Sequence, residues 1–191
     1  MSRMLSTLAV LAALFAVGCG ASAKEGRAAN AAGRSPLKDP TVLVESGDAY
    51  AEAGDYTRAQ QYFAAAIGAG GKSSEILPKL LRACVASGDL RLASEYAETE
   101  LSKHPDDAHL RFVTGALFAQ IGNRPEARKH LAQAAQEMKS DAKVQFLVAT
   151  FFRDDMQDRV EADGYFREYL RLEPKGEHAA EAKASLMERI Q

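Results

Sequence analysis

From Thr41 onward, apolar residues recur three and four positions apart in runs of roughly a dozen residues, separated by short polar turns, which predicts a series of amphipathic helices. The runs also repeat one another. Gly54, Gly88 and Gly122 stand 34 residues apart, inside Ala53-Gly54-Asp55-Tyr56-Thr57-Arg58-Ala59, Ser87-Gly88-Asp89-Leu90-Arg91-Leu92-Ala93 and Ile121-Gly122-Asn123-Arg124-Pro125-Glu126-Ala127. Seven residues before the turn, Gly47 and Gly115 allow close helix approach, and Tyr50, Cys84 and Phe118 follow as bulkier positions. After the turn, Ala59, Ala93 and Ala127 precede Phe63, Ala97 and Leu131 by four residues, on one helical face. Asp55, Asp89 and Asn123 are expected N-caps, and Pro125 suits a first helical turn. Pro105 and Pro174 mark exits from second helices.

A fixed period of this length, with these residue types in register, resembles the tetratricopeptide repeat (TPR) family over Thr41 to Pro174. The resemblance implies an all-α, right-handed solenoid of about four helix pairs. The second unit carries Leu81 at the small-residue position. A fourth unit runs through Gln145–Phe152 with Ala149 and Phe152, then Ala162, Phe166, Tyr169 and Leu170, one place late. Asp154 to Asp158 reads as a turn carrying one extra residue. The Ala-rich residues 175–191, with Ala180, Ala184, Met187 and Ile190 on one face, predict a capping helix for the end of the stack.

Residues 1–40 follow a different pattern. Arg3, the apolar Leu5–Val17 and the small residue before Cys19 read as a secretory signal peptide over 1–19. Ala16-Val17-Gly18-Cys19 resembles a bacterial lipobox, which implies acylation of Cys19 and a lipid anchor, with an outer-membrane, periplasm-facing location in a Gram-negative cell. Ala21-Ser22-Ala23 offers the alternative of ordinary cleavage and a soluble periplasmic chain. Residues 20–40, rich in Ala, Gly, Ser, Lys and Arg, are expected to form a flexible tether reaching roughly 25 Å.

The chain of 191 residues has a net charge of −2, and Arg3 with the tether's net +2 leaves −5 on residues 41–191. That balance gives no electrostatic reason to expect nucleic acid. With Cys19 acylated, Cys84 has no partner for a disulfide and is expected as a buried thiol. His104, His109, His130 and His178 form no cluster with metal-ligand spacing in sequence, so no metal, cofactor or small-molecule substrate is expected. Gly68-Ala69-Gly70-Gly71-Lys72-Ser73 lacks the preceding strand of a phosphate loop and reads as a connection between repeats. Glu98/Glu100 and Asp106/Asp107 read as charge pairs on loops or solvated faces. No catalytic constellation emerges, and no enzyme is expected.

In TPR proteins the first helix of each pair lines a concave groove for peptide or helical ligands. Carried over by the period, the candidate partner-binding residues are Glu45 and Asp48 on the first such helix, Lys79 and Arg82 with Val85 on the second, Phe112 and Val113 on the third, and Phe146 and Leu147 on the fourth. Phe112-Val113 and Phe146-Leu147 lie 34 residues apart, and the groove is expected to run from acidic through basic to apolar. The alternative for the aromatic pair is packing between helices. The resemblance implies a membrane-anchored scaffold for a segment of another envelope protein, similar to the pilotins that help secretins assemble. An adaptor for cell-wall enzymes and a self-associating structural solenoid are the alternatives.

Overall fold

The computed structural model describes residues 39–187. The nine α-helices among them are α1 (Pro40–Glu52), α2 (Tyr56–Gly68), α3 (Ser73–Ser87), α4 (Leu90–Lys103), α5 (Ala108–Gln120), α6 (Arg124–Glu137), α7 (Ala142–Thr150), α8 (Arg159–Leu172) and α9 (Ala179–Ser185). Helices α1 to α8 form four antiparallel hairpins stacked in chain order. The signal peptide and Cys19, with nearly all of the tether, lie outside the described residues.

Aspartate sets the starts of these helices. Asp39, Asp55, Asp89, Asp107, Asp141 and Asp158 each accept a hydrogen bond from a backbone N–H in the first turn, at 2.9–3.3 Å. Each carboxylate satisfies a donor that the helix leaves unpaired and lies favourably at the positive end of the helix dipole. Asn123 holds the N-cap position of α6 without a side-chain cap bond, and Pro125 occupies the first turn there. Within three hairpins the turn is made by Gly54, Gly88 and Gly122 at φ of 77°, 82° and 76°, a left-handed conformation that a Cβ disfavours.

Packing inside the hairpins follows the small residues. A Cβ added to Gly47 would stand 2.6 Å from the Phe63 ring, and one added to Gly115 would stand 2.8 Å from Leu131 Cγ. These glycines let α1 settle on α2 and α5 on α6. In the second hairpin Leu81 takes the equivalent place, and α3 and α4 pack more loosely than their counterparts. Two apolar cores result, one reaching from Leu43 to Leu117 and the other from Phe118 to Ala182.

The fourth hairpin corrects the expectation of an extra turn residue. Phe151–Asp155 forms a π-helical turn continuing α7, so the additional residue is taken up by wider winding. Gln157 then adopts φ of 56° in the place of the turn glycine, and Asp158 caps α8. The capping element is also shorter than expected. Helix α9 covers seven residues and buries Ala179 and Ala182, whereas Ala180, Ala184 and Met187 are exposed. Ile190 lies outside the described residues.

Candidate functional site

Helices α3 and α5, the first helices of the second and third hairpins, stand apart and leave an open groove of about 990 Å³ between them. Leu77, Leu81 and Val85 face it from α3, and Leu110, Val113 and Leu117 from α5. Each set follows helical spacing of three, four or seven residues, so each helix presents one apolar stripe. Val85 is 44% exposed and Val113 38% exposed, so each stripe carries a side chain open to the groove, while Leu77, Leu81 and Leu117 are buried at its floor. Arg82 and His109 supply polar groups on the two helices, while Glu100, Lys103, Asp106 and Asp107 come from the end of α4 and its connection to α5.

That connection is held in place by Arg111. Its side chain is buried, its Nε donates to Glu137 Oε2 at 2.9 Å, and its guanidinium also donates to the Pro105 carbonyl. One cation thus fastens the α4–α5 connection to α6. Glu100 is buried, contrary to the solvated placement expected of it, and its Oε2 accepts from Lys103 Nζ at 3.0 Å. Asp107 is committed to capping α5.

The structure separates the sequence-derived candidates into four groups, the last being the packed aromatics Phe112 and Phe146. Arg82 and Val113 line the groove. Glu45 and Leu147 are exposed outside it, and Asp48 and Lys79 are joined by a 2.6 Å ion pair between α1 and α3. One ion pair thus bridges the expected acidic and basic zones at their boundary.

Phe146 does not belong to a binding surface. It is 5% exposed, stacked on His178 at 4.0 Å between ring centroids, and in contact with Phe166 and Tyr169. The chain leaving α8 folds over it, and the Tyr169 hydroxyl accepts the His178 backbone N–H at 3.0 Å. Phe112 is half-buried against the C-terminal core. The 34-residue recurrence of these aromatics reflects packing. Leu77, Leu81, Leu110 and Leu117 also face the groove, although in the sequence their helical spacing reads equally well as core.

No protein-family model matches this sequence, and no curated protein matches it. Solved structures do match in shape. A TPR protein with an unusual peptide-binding site, YrrB, superposes with a TM-score of 0.64 at 20% identity, covering 77% of this chain and 75% of its own. MamA from Desulfovibrio magneticus RS-1 gives 0.62 at 19% identity, covering 73% and 78%. MamA MSR-1 gives 0.59 at 23% identity, covering 76% and 83%. With the 34-residue period, the hairpin stacking and the left-handed turns already in hand, the chain has the TPR-like helical repeat fold.

Proposed function

We propose that this protein is an interaction scaffold that holds a peptide or helical segment of a partner protein in the groove between α3 and α5. The observation that carries this reading is the pair of facing aliphatic stripes, exposed at Val85 and Val113, across an open groove of about 990 Å³. Recurring apolar contacts suit the anchor residues of an extended or helical segment, and the charged groups at the α4–α5 connection suit its polar flank. The likeness to YrrB supports the same reading, since that protein has a peptide-binding site. The work is recognition, without chemistry.

The finer reading places the scaffold at a membrane through acylated Cys19, facing the periplasm from the outer membrane, with a segment of another envelope protein as its client. Assistance to an assembling complex such as a secretin is the role that fits that setting. Palmitate labelling checks the anchor: label must be present in the wild type and absent from Cys19→Ser.

The groove is tested with a photo-crosslinking residue placed at Val85, at Val113 or, as control, at the 74% exposed Val160 of α8. A product formed from both groove positions and absent from the control supports the reading. Absence of any groove product in cells overturns it, and a product of twice the chain mass replaces it with self-association.

A further inference from the structure

We propose that Glu98, Glu126 and His130 form a binding site for a divalent transition-metal ion, zinc by preference, that ties α4 to α6. Glu126 and His130 are one helical turn apart on α6, so both side chains leave the same face. Glu98 meets them from α4, and one ligand atom from each residue lies within 4.8 Å of the other two. The members come from different repeats, so no close spacing in sequence marks the group.

His130 is the observation that points to a ligand. It is 5% exposed, yet neither ring nitrogen has a hydrogen-bond partner, and neither is open to solvent. A buried polar atom without a partner is uncommon and calls for an explanation. The ring is held by stacking on Phe118 at 5.7 Å with an interplanar angle of 16°. Its Nε2 stands 3.7 Å from Glu126 Oε2, too far for a hydrogen bond. An ion between them would give that nitrogen its missing partner.

One imidazole and two carboxylates suit zinc, with water in the fourth position. Ligands about 2.1 Å from a tetrahedral ion stand about 3.4 Å apart, so closure requires a contraction of up to about 1.4 Å from separations within 4.8 Å. Glu98 is exposed and Glu126 partly so, which leaves both free to rotate inward. Lys129, now 3.1 Å from Glu126 Oε2, is 63% exposed at its side chain and can withdraw into water. The bound ion would join the second helices of two consecutive repeats on either side of α5, the helix that forms one wall of the groove.

The test is calorimetric titration of the full chain with zinc chloride, beside Glu98→Gln and Glu126→Gln, with helicity checked by circular dichroism. Even outer-shell partners are worth roughly 10–100-fold in metal affinity, so loss of a direct ligand is expected to weaken binding by roughly tenfold or more. The expected result is one saturable site in the wild type, weakened in both variants. Both glutamates are accessible, so neither substitution threatens the fold. Absence of saturable binding in the wild type, or wild-type affinity in either variant, overturns the proposal.

Discussion

Gly47 lies so close to the Phe63 ring that an added Cβ would come within 2.6 Å of Cε1 and 2.7 Å of Cδ1. Phe63 is 1% exposed, so its ring sits inside the core and cannot swing out into solvent. Gly47→Ala is therefore expected to destabilise the domain by about 1–3 kcal/mol through overpacking, despite alanine's better helix propensity. Urea denaturation gives the answer. An unchanged midpoint would mean that α1 and α2 can separate without loss.

Phe146 and Val113 should behave in opposite ways. Truncating the buried Phe146 to alanine removes its contacts with Phe166, Tyr169 and His178 and is expected to cost about 3–5 kcal/mol. Val113→Glu, on the open groove, should change stability by no more than about 0.5 kcal/mol. Thermal melts of the two variants check this pair, and they show which substitution is fit for a binding assay.

Gln157 pays for a conformation that its neighbours in the period give to glycine. Its φ of 56° is the left-handed region, where a side chain costs roughly 1–2 kcal/mol. Glycine recovers part of that and loses some to its freer unfolded state. Gln157→Gly is expected to raise stability by about 0.5–1 kcal/mol, read as a higher urea midpoint.

Burial holds the His130 pKa below its usual 6.5, helped by Lys129 and opposed by Glu126 and Glu98. The folded chain thus binds a proton at this site less readily than the unfolded chain. Between the unfolded and folded pKa values the unfolded state carries more protons, so stability is full above about pH 6.5 and falls as pH drops through the folded value. Unfolding midpoints at about pH 7.5 and about pH 5, with chelator present, should show this loss. His130→Phe, which can keep the stack on Phe118, should show less of it.

Cys84 is fully buried, and burial, reinforced by Asp89, pushes its thiol up to about 11. Almost no thiolate exists at neutral pH, and the nucleophile is the thiolate. Alkylation followed by peptide mass analysis should find Cys84 unmodified in the native chain and modified in urea. Modification without denaturant would reveal local opening of α3.

Much of the fold could be read from residue spacing, because the helix-turn glycines and aspartates act locally. Gly54, Gly88 and Gly122 enter the left-handed region, and Asp55 and Asp89 cap the helices that follow. The groove was less legible. Arg82, Val85 and Val113 do line the groove, yet Phe146 looked equivalent to Phe112 until the chain after α8 folded back and set His178 on its ring. That contact joins residues 32 positions apart and depends on a turn outside the repeat pattern. Leu81 was visible as a departure from a small residue. Its effect was not, because opening a hairpin is a matter of volume between two helices. The Glu98, Glu126 and His130 group was hidden for a related reason: proximity across repeats leaves no spacing signature on one strand of text.

The π-helical turn at Phe151–Asp155 has a bearing on how such arrays change over generations. This hairpin holds one residue more than its predecessors, and the helix absorbs it by widening a single turn. Ala162, Phe166 and Tyr169 are still delivered to the core, as though the count had never changed. Repeat length and repeat position are therefore separate quantities in this molecule. A copying error that lengthens the text need not dislocate the stack, provided it lands where a helix can rewind.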